Sequence, residues 1–258
     1  MKNNIFYLII FYSLLSVIIF YFTNNFILNY KEHFDNDNDN DKDNDNDNGN
    51  YSHIPKIIHQ TAPKDKSKWD SVWEDCQKSW LNHFPKPEYE HMMWYDEDLE
   101  QLIKNDFPWF YDTYMDYDKN IKKIDIARNF ILYKYGGIYA DMDYMCMKNF
   151  YDKLPSNKVS ICESPYKKWE NVQNALMASP KEHPFWLNVV EEAKKHTKEE
   201  DVLKSTGPIL LTNMCNKYPD MVNILNVKEY NPKHGTPDFD DPNVITKHFG
   251  SKIWINNL

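Results

Sequence analysis

The chain has 258 residues, 41% hydrophobic and 16% aromatic, with 39 Asp and Glu against 30 Lys and Arg and a formal net charge of −9. That length allows one large domain or two small ones with a substantial core. The absence of a basic run disfavours a nucleic-acid partner, and four cysteines (Cys76, Cys146, Cys162, Cys215) without CxxC spacing disfavour a zinc site.

Composition divides the chain into three parts. Residues 5–22, IFYLIIFYSLLSVIIFYF, carry no charge and only two serines. A stretch of about 18 such residues reaches the lower limit for a helix that crosses a bilayer, and Tyr7, Tyr12, Tyr21 and Tyr30 suit its interfaces. The apolar run is longer than a usual signal-peptide core, and no small-x-small cleavage site follows it. Residues 1–30 are therefore expected to be an uncleaved membrane anchor, with Lys2 favouring a cytosolic amino terminus and a type II, single-pass arrangement. Residues 31–50 are an Asp/Asn-rich spacer with nothing to bury. They do not make a calcium loop: counting from Asp43, Asn48 stands where Gly is needed and Ile54 where Glu is needed. Residues 51–258 form the folded domain. Asn50-Tyr51-Ser52 is a glycosylation acceptor if that side is lumenal, and in a secretory lumen the four cysteines could form up to two disulfides.

Within the domain, residues 54–60 (IPKIIHQ) predict a first strand with Pro at its entry. Residues 68–82 fit a helix with Trp69, Val72, Trp73, Cys76 and Trp80 on one side, which reads as core packing. Residues 89–95 suit a second strand, and Asp96 resembles the N-cap of a helix through Ile103. Pro108 and its aromatic neighbours predict a loop. Residues 118–135 give the clearest helix, with Ile121, Ile124, Ala127 or Arg128, Ile131 and Tyr135 at helical spacing and Gly136-Gly137 as its stop.

Asp125 and Arg128 share a face of that helix. A surface ion pair contributes under about 1 kcal/mol. Here Ile124, Ile126 and Ala127 flank the pair, which argues for partial burial, and a buried pair is costly unless it binds something. The next strand, 138–143, puts Tyr139, Asp141 and Asp143 on one face and Ile138, Ala140 and Met142 on the other. Two carboxylates that close repel unless a positive group lies between them, and a divalent cation is the simplest one. Further strands are predicted at 159–162 and 174–178. Helices follow at 184–196 and, opened by Thr206-Gly207-Pro208, near 209–215. Strands alternating with helices indicate an α/β sandwich, in which ligands sit at the carboxyl ends of strands.

Three chemistries share the Asp-x-Asp spacing. A chitinase-like hydrolase needs Glu two residues after the second Asp, and an Asp-nucleophile phosphatase needs Thr or Val there. That position is Met145. The third is a metal-dependent glycosyltransferase, in which a cation offsets charge on a departing diphosphate. The combination D-x-x-R, helix, G-G, strand, D-x-D is more specific than D-x-D alone.

The stretch IDIARNFILYKYGGIYADMD resembles the signature of the glycosyltransferase family 32 sugar-binding region, and IPKIIHQTA is similar to that family's first strand. The likeness is good over residues 54–180. It implies an α/β fold of the GT-A, Rossmann-like nucleotide-sugar-binding type, a nucleotide-sugar donor, Mn2+ (or Mg2+), and retention of anomeric configuration. Carried over by residue, it implies Asp125 and Arg128 against the donor sugar and phosphate, and Asp141 facing ribose, sugar and metal. It further implies Asp143 as a direct metal ligand and Asn174 in the sugar pocket. His248, Ser251 and Trp254 would belong to a C-terminal segment closing over the diphosphate, with His248 as a further metal ligand. His59, Gln60 and Tyr139 would join the substrate-binding set. Two positions depart from the pattern: Ala62 stands where a tryptophan is common, and Trp254 lies three residues after Ser251 rather than beside it.

No carboxylate stands out as a double-displacement nucleophile, so front-face displacement is expected, with the leaving phosphate assisting the incoming hydroxyl. The expected function is hexosyl transfer, with mannose from GDP-mannose, to a lipid or glycan acceptor such as inositol phosphoceramide. The setting implied is a Golgi- or secretory-type lumen or an equivalent host membrane. UDP-glucose or UDP-galactose donors, and a non-catalytic sugar-binding membrane protein, are the alternatives.

Overall fold

The computed structural model describes residues 53–168 and 170–251. The expected anchor, the spacer, the Asn50 acceptor and Trp254 lie outside these residues. Among the described residues no helix is long and apolar enough to cross a membrane.

Eight strands and eight helices follow one another as β1 (Ile57–Thr61), α1 (Trp73–His83), β2 (Glu90–Trp94), α2 (Asp96–Asp106), α3 (Pro108–Met115), α4 (Asn120–Tyr135), β3 (Gly137–Ala140), β4 (Tyr144–Cys146), β5 (Val159–Glu163), β6 (Val172–Ser179), α5 (Pro184–Lys194), α6 (Val202–Ser205), α7 (Pro208–Lys217), β7 (Val222–Leu225), α8 (Val227–Tyr230) and β8 (Thr246–His248). Six strands form one mixed sheet in the order β2-β1-β3-β6-β5-β7, while β4 and β8 form a separate ribbon. β1 runs parallel to both β2 and β3, and β6 runs antiparallel to β3 and β5.

The sheet is covered on both faces, as its strand alternation requires. Tyr139 joins a core with Phe130, Ile131, Met177, Phe185 and Trp186. Its neighbours Ile138 and Ala140 join the opposite core with Ile58, Trp80, Phe84 and Phe150. Gly137 permits the close approach of β3 to β1. Its φ is 90°, and a Cβ there would lie 2.5 Å from the Ile57 carbonyl oxygen. Gly136, with φ 63°, caps α4 as the sequence predicts.

The structure departs from expectation in several places. Residues 66–68 form a separate 3-10 turn, and α1 starts only at Trp73. Trp80 is core, with its indole N–H donating to the Tyr144 carbonyl at 2.7 Å, whereas Trp73 lines an open cleft. The N-cap of α2 is Tyr95 rather than Asp96, because Asp98 reaches back to the Tyr95 N–H at 3.0 Å. Pro108 begins a helix instead of a loop, since Pro at the first helical position loses no needed N–H. Helix α4 is buried from Asp125 through Leu132, all round rather than along one stripe. The four cysteines form no disulfide. All are buried free thiols, and desolvation pushes each up to about 12.

The acidic strand is also shorter than expected. β3 ends at Ala140, and Asp141 to Asp143 make a turn into β4. Strand alternation is therefore not what aligns the two aspartates. The turn does so, closed by the Tyr144 N–H on the Asp141 carbonyl (3.0 Å) and fastened to β6 by the Asp141 N–H on the Ala175 carbonyl (2.8 Å).

Candidate active site

A cleft of about 1350 Å³ opens beside the ends of β1, β3 and β6. It exceeds the usual volume for a single small ligand of roughly 300–1000 Å³. Two groups of polar side chains meet in it.

The first group is built on α4. Asp125 accepts from Asn174 Nδ2 at 3.0 Å, from Thr206 Oγ1 at 3.3 Å and from Arg128 at 3.2 Å. Arg128 also donates to the Asn174 carbonyl at 2.9 Å, lies 3.4 Å from Asp141 Oδ1, and sits 4.8 Å from the Tyr139 ring centre. The Tyr139 hydroxyl donates to Asp141 at 2.8 Å and lies 2.8 Å from Thr61 Oγ1. Burial pushes Asp125 up to about 6, with Asp141 adding to the rise and Arg128 opposing it. Burial likewise raises Asp141, again against Arg128. Arg128 is desolvated too, yet Asp141, Tyr139 and Asp125 more than offset that and hold its charge firmly. Arg128 Nε is buried without a partner among the described residues.

The second group joins distant parts of the chain. β8 pairs with β4 so that His248 lies opposite Tyr144, their rings stacked at 4.8 Å. His248 Nε2 lies 3.3 Å from Asp143 Oδ1. Asp143 Oδ2 accepts from the Ser251 N–H at 2.7 Å and hydroxyl at 2.9 Å. Burial would raise Asp143, but His248 and Ser251 outweigh it and hold the carboxyl at about 2. His248 is raised in return: burial acts against it, and the Asp143 and Asp141 charges prevail.

Asp141, Asp143 and His248 each offer a ligand atom, all within 4.8 Å of one another. Two carboxylate oxygens and one imidazole nitrogen are donor types that a divalent cation accepts. Asp141 Oδ2 takes no hydrogen bond from any described residue, so one carboxylate oxygen is free for a cation. The donor set fits a divalent ion held between the turn and β8.

The structure thus gathers Asp125, Arg128, Tyr139, Asp141 and Asn174 in one network and Asp143, His248 and Ser251 in the next. His59, Gln60 and Tyr139 do not line the cleft, which corrects their placement among the substrate-binding residues; Tyr139 is fully buried and bears on the site only through its bond to Asp141. His59 is fully buried in β1, donating to the Gly136 carbonyl at 2.9 Å and accepting from Trp94 Nε1 at 3.2 Å. Desolvation lowers it to about 4, so it is a neutral core histidine. Gln60 is 3% exposed. Sequence reasoning missed Thr61 and Thr206 as hydrogen-bond partners of the network. Thr206 carried a signal, as the residue opening the Thr-Gly-Pro helix start.

Residues 70–161 match the family described as glycosyltransferase sugar-binding region containing DXD motif. The chain is 37% identical to inositol phosphoceramide mannosyltransferase 3 of Schizosaccharomyces pombe, over 65% of this chain and 47% of that one. It is 33% identical to the mannosyl phosphorylinositol ceramide synthase CSH1 of Saccharomyces cerevisiae, over 64% of this chain and 43% of that one. The chain spans under half the length of these curated relatives. Among solved structures it resembles the PaToxG glycosyltransferase, with 18% identity, a TM-score of 0.51, and coverage of 65% of this chain and 70% of that one. That likeness supports a shared GT-A-like fold around a mixed α/β sheet.

Proposed function

We propose that the chain is a glycosyltransferase of the family 32 type and that it transfers a hexose, mannose from GDP-mannose, to an inositol phosphoceramide type of acceptor with retention of configuration. One observation carries the reading: the Asp141–Asp143–His248 group opens on the same cleft as the Asp125–Arg128–Asn174 network. The names of the fungal relatives support mannose and a phosphoinositol lipid. The uncharged run at residues 5–22 supports a membrane location.

A divalent cation bound by Asp141, Asp143 and His248 would supply Lewis-acid neutralisation of the leaving diphosphate. The residues around it prepare the rest. Arg128 brings a permanent charge, desolvated and fixed by Asp125, Asp141 and the Asn174 carbonyl, so little reorganisation is needed when negative charge builds nearby. Asp125, raised by burial to about 6, is mostly ionised at neutral pH and can accept from a sugar hydroxyl. Tyr139 sets the orientation of Asp141. Ser251 draws the segment after β8 over Asp143 and so over that side of the cleft.

The test is hydrolysis and binding of GDP-mannose, UDP-glucose and UDP-galactose with and without Mn2+. GDP-mannose should be turned over preferentially, and Asp143→Ala should lower that turnover about 100- to 1000-fold. No turnover and no metal-dependent binding of any of the three would overturn the reading.

A further inference from the structure

The same cleft is lined by a polar row that the mechanism above does not use. Glu170, at the base of the β5–β6 loop, lines the cleft yet is only 7% exposed. Its Oε1 accepts from Ser164 Oγ at 2.8 Å and from Gln173 Nε2 at 2.7 Å. Gln173 Oε1 accepts in turn from Asn231 Nδ2 at 2.8 Å, and Asn231 Nδ2 also donates to the Glu163 carbonyl at 3.1 Å. These bonds fix both amides: the Gln173 nitrogen must face Glu170, and the Asn231 nitrogen must face Gln173 and Glu163. No described cation forms an ion pair with Glu170. A desolvated carboxylate without a counter-ion is costly unless other hydrogen bonds reach it.

The unused valences define what those bonds are. Glu170 Oε2, one Gln173 N–H and Asn231 Oδ1 have no partner among the described residues. Read along the row they alternate acceptor, donor, acceptor. A phosphate offers only acceptors, and an ammonium only donors. Adjacent hydroxyls both donate and accept, so a polyol ring satisfies all three. Lys233, with its Nζ 5.8 Å from the Tyr166 ring centre, and the 43% exposed Tyr166 stand at the rim of the same side. They supply a cation and an aromatic face where the substituent of such a polyol would leave the cleft.

We propose that Glu170, Gln173 and Asn231 form the acceptor subsite and hold a polyol ring by neighbouring hydroxyls. This rests on the transferase reading above. One acceptor hydroxyl oxygen bonds to the anomeric carbon of the donor as the bond from that carbon to the diphosphate breaks. The electron pair stays with the diphosphate, and the hydroxyl proton passes to a diphosphate oxygen. Glu170 accepts from the adjacent hydroxyl and orients the ring. It takes no proton in the step.

The experiment pairs two readouts on the full chain in detergent. Saturation-transfer NMR with myo-inositol 1-phosphate measures the subsite without turnover. Product analysis with GDP-mannose, Mn2+ and the same acceptor gives the ratio of transfer to hydrolysis. Glu170→Gln keeps the bonds to Ser164 and Gln173 possible while placing N–H where an acceptor was, and Gln173→Met removes the donor at similar size. Each should weaken inositol phosphate binding and lower the transfer-to-hydrolysis ratio at least tenfold, with the thermal unfolding midpoint of Glu170→Gln unchanged. Binding as in the wild type for both variants, or no binding by the wild type, overturns the subsite. If binding behaves as expected while no donor is hydrolysed, the transferase reading fails instead.

Discussion

Replacing Arg128 by Met removes the only cation that faces both Asp125 and Asp141 among the described residues. Breaking a buried pair by deleting one partner typically costs about 3–5 kcal/mol, because the other charge stays buried. Here the cost depends on pH in a direction the structure fixes. Burial already holds Asp125 at about 6, against an ordinary 3.8, with Arg128 opposing the rise. A carboxyl raised in the folded state contributes stability below its unfolded value and loses it as pH rises through the folded one. For Asp125 that window runs from about 3.8 to about 6 in the wild type, and each unit is worth about 1.4 kcal/mol. Without Arg128 the folded value climbs further, so the window extends through neutrality. Urea unfolding followed by tryptophan fluorescence, in EDTA, should show Arg128→Met less stable by about 3–5 kcal/mol at pH 8 and by about 1–2 kcal/mol at pH 5. A loss under about 1 kcal/mol at pH 8, or equal losses at both pH values, refutes the reasoning.

His59 titrates in the opposite sense: its folded value is lowered from 6.5 to about 4, so its contribution is full above 6.5 and lost as pH falls. The stability gap between wild type and His59→Gln should therefore narrow by about 2 kcal/mol from pH 7 to pH 4.5, and a constant gap contradicts a buried neutral imidazole. Asp143→Asn should weaken the hold on Ser251 and His248, costing up to about 2 kcal/mol at pH 7 and little near pH 2, as acid titration of both proteins would reveal. Gly137→Ala drives a Cβ against the Ile57 carbonyl at a φ of 90° and should cost at least about 2 kcal/mol in denaturant titrations; a neutral effect would mean that β1 and β3 can part easily.

What could be read in the sequence was local. Helix α4, its Gly-Gly stop and the strand after it depend on spacing and on glycine's freedom, and both act within a few residues. At Pro108 the same ring that breaks a helix interior fits a first helical turn, and nothing within a few residues says which applies. The two aspartates were placed together for an incomplete reason. Strand alternation ends at Ala140, and a bond to Ala175, thirty-odd residues on, holds the turn that aims them. His248 reaches Asp143 only because β8 pairs with β4 across about a hundred residues, which no periodicity encodes. Likewise nothing within a window of a few residues tells a buried His59 from an exposed one, or joins Glu170 to Asn231.

The four buried thiols have a practical consequence. With each held at about 12, practically none is thiolate at neutral pH, so alkylating reagents have nothing native to attack in the folded protein. A cysteine introduced at the exposed Tyr166, on the cleft rim, would be the sole reactive sulfur. Its alkylation rate becomes a clock for how often that rim is covered, read without any label elsewhere in the chain.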